Sequence, residues 1–556
     1  MSSQSDVGFG SGPGTSVLSG SAATTLLAAL ILAVFVVHFL FLAVVAEDAF
    51  ISFRFAQNVA GGHGFLWNIG EAPVEGYTNF LWVVIAAGLI ATGLDVALFS
   101  QVIGFLAALG TMGVVYIWGR RLLGLEPGPA LIPLALLAVA GPFATWAGSG
   151  METTLFGFFL TLGIFCFVSF WQARRPGWLL AAAGVFVLAS MTRPEGVIVF
   201  IMLGTLGILL ERGIRPFLAA LGLYLVVFGA YFAWRYSYFG YPLPNTFYAK
   251  TGGGMAQVMR GVSHAKYFVA YYAAPLGLML LPILWPMLRG AGAMPRIMEL
   301  RLVAQRNAAW LVPLAVFSGY GAYIVAVGGD YMAMFRFFAP VLPLLYLVFG
   351  AAVARYWAAA PRWPRLAGLA ATLVLIALQS TPLEARLLPQ IPNNHGTWRG
   401  VGVERWHAQR LRVIGEYFQS LRTDYDQSLA TDAIGVIAFV ADMKIIGKHG
   451  LVDVHIAHKE FAPGELGSGL PGHERGDLDY ILSKRPDFYM YNRAFTEEPL
   501  AEQPAPFPAE AAAIVAAEYA PESVYLEDAL NGEAGYFTYL RRKDSAAGSP
   551  TGERAD

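Results

Sequence analysis

Eleven segments of this chain are apolar over about the length of a bilayer-spanning helix. The hydrocarbon core of a bilayer is about 30 Å thick, so one span takes roughly 20 mostly apolar residues. Because lipid offers no hydrogen bonds to the backbone, such segments fold as helices. The sequence therefore predicts a polytopic α-helical membrane protein. The predicted spans lie near 24–45, 97–118, 128–147, 153–171, 178–191, 197–211, 217–235, 268–288, 309–327, 337–355 and 366–381.

Composition agrees with this class and excludes others. Of the 556 residues, 56% are hydrophobic and 13% are charged, and the mean hydropathy is +0.54. The net charge of −1 gives no basis for a nucleic-acid partner. The single cysteine, Cys166, excludes an intramolecular disulfide and a multi-cysteine metal site.

The apolar stretch 80–93 decides the topology. Counted as a span, it would turn the basic loops to the outer side. Kept as a helix within the first outer loop, it satisfies the positive-inside bias, with the N-terminus in the cytoplasm and the C-terminal region outside. The basic residues then on the cytoplasmic side are Arg120, Arg121, Arg174, Arg175, Arg212, Arg215, the loop 289–306, Arg355, Arg362 and Arg365.

Composition shifts after about residue 381, where proline, asparagine, histidine and charged residues appear. The pattern predicts an amphipathic helix at 403–421 and strands at 427–431, 444–447, 486–492, 523–527 and 535–541. No internal repeat indicates a transporter built from two related halves. The predicted organisation is a disordered cytoplasmic tail (1–22), a transmembrane domain (23–381) with its first outer loop at 46–96, a soluble extracytoplasmic α/β domain (382–542) and a disordered tail (543–556).

Glu47 and Asp48 stand where the first predicted span ends. At the water boundary a carboxylate costs less than at mid-bilayer, where insertion costs roughly 2.5–3.5 kcal/mol, and it can still reach a lipid-borne substrate. Two adjacent side chains on a helix do not face the same way. We therefore expect one of the two to face a reacting centre while the other caps, pairs or binds elsewhere; the alternative is a pair of interfacial acids that begin a loop helix.

The segment E-D-A-F-I-S-F-R-F-A-Q-N-V-A-G-G-H-G-F-L-W-N-I-G-E-A-P-V-E-G-Y-T-N-F-L-W (47–82) resembles the first outer loop of GT-C superfamily membrane glycosyltransferases. It is most similar to the group with the mycobacterial terminal arabinofuranosyltransferase, which uses polyprenyl-phosphate sugars. The resemblance extends over about 24–355, through S-G-M-E-T-T-L-F (149–156), T-R-P-E-G (192–196), Y-P-L-P-N-T-F-Y-A-K (241–250) and G-G-D-Y-M (328–332).

The resemblance implies that Asp48 acts as general base or orients the acceptor hydroxyl. Glu47 departs from the commoner Asp-Asp pair, which puts its catalytic role in doubt. The leaving phosphate needs positive charge, and the candidates are Lys250, Arg336 and Arg193. For Arg193 the alternative is a salt bridge to Glu195 or Glu152, and for Lys250 and Arg336 it is snorkelling to lipid phosphate.

Other outer-loop side chains are candidates for contacts with sugar or acceptor. Carboxylates and amides pair with hydroxyl groups and rings stack on sugars, although interfacial aromatics also form belts without such a role. Glu75, Glu152 and Asp330 have the oxygen ligands that Mg²⁺ or Mn²⁺ prefers, but no ligand spacing demands a metal. His63, His449 and Asp453 are assigned structural roles. The predicted contacts are Glu75, Tyr77, Asn79, Glu152, Asn245, Tyr248 and Asp330.

These features predict a glycosyltransferase that moves a sugar, by resemblance D-arabinofuranose, from a polyprenyl-phosphate donor to a cell-envelope glycan. The resemblance also implies the bacterial inner membrane, with the reaction on its outer face. Alternatives are a mannosyl- or aminoarabinosyl-type transferase acting on protein or lipid A, a transporter or flippase of lipid-linked sugars, and a non-catalytic envelope assembly protein.

Overall fold

The computed structural model describes residues 21–211, 213–277, 305, 307–356, 362–383, 398–462, 464–500 and 507–545. The predicted tails 1–22 and 543–556 fall mainly outside these residues. The helices of the membrane half are α1 (Ser21–Leu42), α2 (Glu47–Ala60), α3 (Phe80–Ala91), α4 (Val96–Arg121), α5 (Ile132–Ala138), α6 (Gly141–Ala147), α7 (Thr153–Ala173), α8 (Gly177–Thr192), α9 (Glu195–Glu211), α10 (Leu218–Phe239), α11 (Asn245–Lys250), α12 (Gly254–Phe268), α13 (Ala308–Ala326), α14 (Leu342–Tyr356) and α15 (Arg362–Leu378).

Helices occupy the described part of every predicted span, which confirms a polytopic α-helical protein. Among the described residues, five helices are long and apolar enough to cross a membrane, or six if the bent pair formed by 129–138 and 141–147 is one span. The other apolar helices are shorter, so the number of eleven spans remains a prediction. The second half of the predicted span 268–288 lies outside the described residues.

The predicted span 128–147 is not one straight helix. Its two parts, α5 with the preceding turn and α6, meet at an angle of 66°. Pro142 lies in the first turn of α6, where a proline needs no hydrogen bond from its nitrogen. In a continuous helix the same proline would remove a backbone hydrogen bond, so the chain breaks at Val139 and Ala140 instead.

Contacts on either side of α3 support its prediction as a helix within the first loop. Near its start, Trp82 Nε1 donates to the carbonyl of Gly150 at 3.1 Å. Early in the following helix, Gln101 Nε2 donates to the carbonyl of Gly148 at 2.7 Å. The chain therefore enters and leaves α3 at the same end of the bundle.

A second set of connections gathers at the opposite end of the bundle. Gln172, at the end of α7, donates to the Leu122 carbonyl at 2.8 Å. Arg174 pairs with Glu211 at 2.8 Å, and Gln305 donates to the neighbouring Leu210 carbonyl at 2.6 Å. The helix ends thus alternate as consecutive spans require, while the side on which the termini lie remains a prediction.

The C-terminal region is a small α/β unit. Its helices are α16 (Trp398–Leu421), α17 (Gly435–Ala441), α18 (Val454–His458), α19 (Leu478–Ser483) and α20 (Ala509–Glu518). Its strands are β1 (Ser428–Thr431), β2 (Lys444–Gly447), β3 (Phe488–Tyr489), β4 (Phe495–Thr496), β5 (Tyr519–Asp528) and β6 (Glu533–Arg542). The predicted strand 486–492 shortens to two residues, and the predicted terminal pair is a longer hairpin.

One mixed sheet joins these strands. β1 pairs parallel with β2 and β3, and β3 pairs antiparallel with β6. β5 pairs antiparallel along the whole of β6, which leaves the other edge of β6 for β3 and β4. The small domain expected from the sequence is therefore present.

The C-terminal unit packs directly on the loops of the membrane half. Phe50 and Phe53 of α2 lie against Phe439 of α17, with ring centroids 5.5 and 6.1 Å apart. Asn245 Nδ2 donates to the carbonyl of Gly450 at 2.7 Å. A continuous hydrophobic core links the two parts, so C-terminal side chains reach the outer-loop residues.

Candidate active site

The carboxylates of Glu47 and Asp48 lie close to each other at the start of α2, and each also has a partner of its own. The Glu47 carboxylate accepts a hydrogen bond from the backbone N–H of Gly435 in the C-terminal unit. Asp48 Oδ2 instead lies 3.3 Å from Nη1 of Arg336. Burial, with the nearby Asp48 charge, raises the pKa of Glu47 to about 8. Burial alone would also raise the pKa of Asp48, but Arg336 and Lys250 outweigh it and hold that pKa below its usual range.

Arg336 is held by two carboxylates. Its Nε lies 2.6 Å from Oδ2 of Asp330 and its Nη2 lies 3.1 Å from Oδ1, a bidentate contact that fixes the guanidinium plane. Its third contact is Asp48. The side chains of Arg336 and Asp330 are 6% and 2% exposed, whereas Asp48 keeps 18%. Of the three side chains in this ion-pair cluster, Asp48 is therefore the one most accessible to solvent.

The backbone that presents Arg336 is strained. Met334 and Phe335 have φ angles of 53° and 48°, in the left-handed region that bulky side chains avoid. Such residues cost about 1–3 kcal/mol each and persist only where their surroundings hold them. Here Trp146 Nε1 donates to the Met334 carbonyl at 3.2 Å, and both residues are fully buried. Tight packing therefore fixes the position of Arg336.

Lys250, at the end of α11, is the cation that lacks a carboxylate. It is part-buried, and its charge acts on Asp48, Arg336 and Asp330. Among the described residues, no carboxylate or hydrogen-bond acceptor lies within bonding distance of its ammonium group. Burial is the main reason that its pKa is lowered. A partly desolvated ammonium without a counter-ion is ready to bind an anion.

The C-terminal unit adds three titratable side chains that face this cluster. Glu404 of α16 is 7% exposed, and burial followed by the Asp48 charge raises its pKa to about 7. Burial lowers the pKa of His407 to about 4 and also lowers that of His473, although the Asp48 charge opposes both shifts. His473 lies with its ring 5.7 Å from that of Tyr331.

Arg193 is neutralised on both sides. Its Nη1 lies 2.7 Å from Glu152 Oε1 and its Nη2 lies 2.8 Å from Glu195 Oε1. Asn79 Nδ2 donates to the other oxygen of Glu152 at 2.8 Å. Arg193 therefore forms the salt bridges to Glu195 and Glu152 that the sequence analysis gave as the alternative to phosphate binding. This network adjoins the Asp48 cluster, since Phe337 packs against both arginines, 5.4 Å from Arg193 and 5.1 Å from Arg336.

Similarity of this chain to known proteins is found at the level of the fold. No protein-family model and no curated protein matches the chain. A crystal structure of apo ArnT from Cupriavidus metallidurans matches with a TM-score of 0.54 and 14% identity, over 94% of this chain and 98% of that one. The chain therefore shares its overall fold with this ArnT structure. A second ArnT structure, bound to undecaprenyl phosphate, matches with a TM-score of 0.49 and 13% identity, over 77% of this chain and 86% of that one.

Four other side chains that were predicted to contact the sugar instead interact with residues of the protein itself. Glu75 forms a buried ion pair with Arg235, whose Nε lies 2.9 Å from Oε1. The ring of Tyr77 is 4% exposed and packs on Phe55, with centroids 4.8 Å apart. The amide of Asn245, as described above, ties α11 to the C-terminal unit. The ring of Tyr248 lies 4.3 Å from that of His458. Their roles in sugar binding remain predictions, and none of these four side chains joins the Asp48 cluster.

The described part of the chain contains no evident binding site for a divalent metal. No group of three histidine, cysteine, aspartate or glutamate side chains there is arranged to hold an ion. Three salt bridges pair these carboxylates with arginines: Asp330 with Arg336, Glu152 with Arg193 and Glu75 with Arg235. The carboxylates considered as oxygen ligands from the sequence are thus separate, each with its own arginine.

Sequence reasoning missed the C-terminal contribution to this site. Glu404 and His407 lie three residues apart on the predicted amphipathic helix, a spacing that puts both on one face. No local pattern marked His473, whereas Tyr331 stood inside the G-G-D-Y-M segment beside Asp330.

Proposed function

We propose that this protein is a membrane glycosyltransferase that moves a sugar from a polyprenyl-phosphate donor to an acceptor hydroxyl, with Asp48 as the base. The observation that carries the proposal is the grouping of a carboxylate, Asp48, with the cations Arg336 and Lys250. Asp48 has a lowered pKa and the most open side chain of its cluster, and the uncompensated Lys250 acts on it. The overall fold, that of the GT-C glycosyltransferase ArnT, supports the same reaction class.

Each group has a role in such a transfer. An acceptor hydroxyl is a poor nucleophile, and a carboxylate in hydrogen-bond contact takes its proton as the bond from the anomeric carbon to the phosphate oxygen breaks. The departing polyprenyl phosphate needs positive charge and no acid. Lys250 supplies that charge, with Arg336 next to it. Arg193 is the weakest of the three candidates because Glu152 and Glu195 already hold it.

The membrane arrangement follows from the same assignment. The protein is a multi-pass protein of the bacterial inner membrane, with its N-terminus in the cytoplasm. The domain at 382–542 then lies outside, above the site. The polyprenyl tail lies among the spans and the acceptor enters from the aqueous side. Basic residues lie at the end of the bundle that contains Arg174, whereas Lys250 lies at the opposite end. This distribution is consistent with the proposed orientation.

The proposed donor sugar is D-arabinofuranose and the proposed acceptor is a cell-envelope glycan. Both follow from the resemblance of 47–82 to the arabinofuranosyltransferase group. An aminoarabinosyl-type reaction is the second candidate, and the similarity of the fold to that of apo ArnT favours it. A mannosyl transfer to protein, with the same base, is a third outcome of the test below.

A transporter or flippase of lipid-linked sugars fits less well. It predicts polar groups along a path through the middle of the bundle. The ion pairs of Arg336 and Arg193 instead lie between helices, and that of Arg235 lies in the last turn and a half of α10. For a non-catalytic assembly protein, Asp48→Asn would leave glycan binding unchanged.

The test is donor consumption by the purified full-length chain in lipid nanodiscs. Polyprenyl-phosphate arabinofuranose, aminoarabinose and mannose are supplied separately, and release of polyprenyl phosphate and labelled product is measured. We expect one donor to be consumed and Asp48→Asn to abolish its consumption, with the exposed Glu416→Gln on α16 as the matched control. Turnover by Asp48→Asn equal to that of the wild type, or no turnover of any donor with envelope acceptors present, contradicts the proposal.

A further inference from the structure

A glycine-rich segment of the C-terminal unit packs on the side chain of Lys250. This segment, residues 464–475, lies between α18 and α19. Gly472 within it is buried, and its φ angle is 83°. A Cβ atom added to Gly472 would lie 3.1 Å from Cε and 3.5 Å from Cγ of Lys250. The backbone at position 472 therefore lies against the stem of the lysine, and a side chain there would push the lysine aside.

The 464–475 segment is also held against the chain that follows Lys250. Arg475 Nη2 donates to the carbonyl of Thr251 at 2.9 Å. A Cβ atom on Gly253 would overlap the backbone of Gly467, so the two chains touch glycine to glycine. The segment therefore follows the end of α11 and the start of α12 closely on both sides of its contact with the lysine.

Arg260 of α12 fixes the same segment from the membrane half. Its Nη1 donates to the carbonyl of Gly469 at 2.7 Å and lies 3.3 Å from Oε2 of Glu474. The other oxygen of Glu474 accepts the backbone N–H groups of Gly467 and Gly469, at 2.7 and 2.6 Å. Hydrogen bonds of charged groups are the stronger kind. The segment therefore has a defined shape where it meets the lysine.

His473 connects the 464–475 segment to the loop that carries Arg336. Its ring meets that of Tyr331 edge to face, with centroids 5.7 Å apart and planes at 87°. Tyr331 follows Asp330, the carboxylate that pairs with Arg336. Consecutive residues of the segment thus contact the two loops that supply the cations of the site.

The packing on Lys250 affects how well its ammonium group binds an anion. A lysine has a flexible four-carbon stem, and fixing that stem costs conformational entropy when the ammonium binds. A stem that is already held by packing loses less entropy, so the anion binds more tightly. The contacts of Gly472 are with carbon atoms of the stem, and the charged end stays free for a ligand.

We propose that Gly472 is a positioning residue of the donor site, whose backbone holds the stem of Lys250 so that the ammonium group meets the phosphate of the lipid-linked donor. Through this contact the C-terminal unit is part of the donor site. The ligand in this inference rests on the proposed function, whereas the packing of Gly472 on Lys250 does not. A side chain at position 472 displaces the stem and weakens phosphate binding.

The experiment measures the affinity of the full-length chain in lipid nanodiscs for polyprenyl phosphate alone. Gly472→Ala is compared with Gly464→Ala in the same segment. Gly464 is exposed and has a similar φ of 92°, but a Cβ atom there meets nothing within 4 Å. The control therefore carries the backbone strain without the contact.

We expect about fivefold weaker binding in Gly472→Ala, because part of a hydrogen bond to a charged group is lost, and wild-type affinity in Gly464→Ala. Wild-type affinity in Gly472→Ala overturns the proposal, and so does an equal loss in both variants. Gly472→Asn repeats the measurement with less backbone strain, because asparagine tolerates a positive φ. It keeps the test valid if Gly472→Ala does not fold.

A double-mutant cycle shows whether Gly472 acts through Lys250. With Lys250→Met in place the charge is absent, and we expect Gly472→Ala to cause no further loss of affinity. Additive losses overturn the positioning role. A loss in Lys250→Met without one in Gly472→Ala overturns the positioning role alone. An affinity of Lys250→Met equal to that of the wild type contradicts the phosphate site of the proposed function, and the positioning role with it.

Discussion

Glu47 and Asp48 are consecutive in the chain, yet their carboxylates bind opposite halves of the molecule. Glu47 accepts the N–H of Gly435 from the C-terminal unit, and Asp48 contacts Arg336 of the membrane half. The two environments shift the two pKa values in opposite directions, since the pKa of Glu47 rises to about 8 and that of Asp48 falls. Divergent environments of this kind separate an ionised base from a neutral neighbour.

The first prediction concerns these two acids. Asp48→Asn removes the proton acceptor, and we expect turnover to fall by about 10²- to 10⁴-fold, the usual contribution of a general base. Glu47→Gln keeps the acceptor for Gly435 and leaves the Asp48–Arg336 contact in place, so its loss is much smaller. Steady-state donor consumption compares the two variants. Equal losses in both would show that Asp48 has no special role.

The pH dependence of stability provides a second prediction. The folded-state pKa of Glu47 is about 8 against an ordinary 4.5, so folding favours the protonated form. Stability from this group is present at low pH and is lost as the pH rises from 4.5 through 8. We therefore expect Glu47→Gln to raise the unfolding temperature at pH 9 more than at pH 5. Thermal unfolding in detergent measures this, and a difference between variant and wild type that does not change with pH contradicts it.

Lys250 is the subject of a third prediction. Lys250→Met keeps the length of the side chain and removes the charge, and we expect the donor KM to rise roughly ten- to a hundredfold because a hydrogen bond to a charged group is worth about 1.5–3 kcal/mol. Lys266→Met on the exposed side of α12 is the control. Titration with polyprenyl phosphate alone should show the same loss. Equal affinities in both variants remove Lys250 from the phosphate site.

A fourth prediction separates the Glu75–Arg235 pair from the chemistry. Both side chains are 4% exposed, so Glu75→Gln leaves a buried unpaired arginine and costs about 3–5 kcal/mol of stability. Glu75→Gln combined with Arg235→Met removes both charges and restores most of that loss. We expect the double variant to keep its donor KM, as measured by donor consumption. A selective rise in KM with full stability would instead support Glu75 as a sugar contact.

Sequence periodicity was sufficient for most of the membrane half, because apolar segments of this length have only one way to satisfy their backbone in lipid. It also predicted α3 as a helix, and the placement of α3 in the first outer loop remains a prediction. It did not detect the bend at Val139 and Ala140, because the predicted spans were placed by length and hydropathy, which Gly141 and Pro142 did not interrupt.

The candidate site was predicted only in part. The pairing of Arg193 with an acid follows from its neighbour Glu195. The contact of Arg336 with Asp48 joins residues 288 positions apart, and local pattern gives no information on it. For the same reason Glu404, which reaches the site from the C-terminal unit, could be found only in the folded chain.

A structure of the full-length protein with a bound polyprenyl phosphate tests most directly whether Asp48 and Lys250 belong to one site. We predict that a phosphate oxygen lies in hydrogen-bond contact with Lys250 Nζ, beside the partly exposed Asp48 carboxylate. A phosphate bound at Arg193, or at the end of the bundle that contains Arg174 and Glu211, would contradict the assignment.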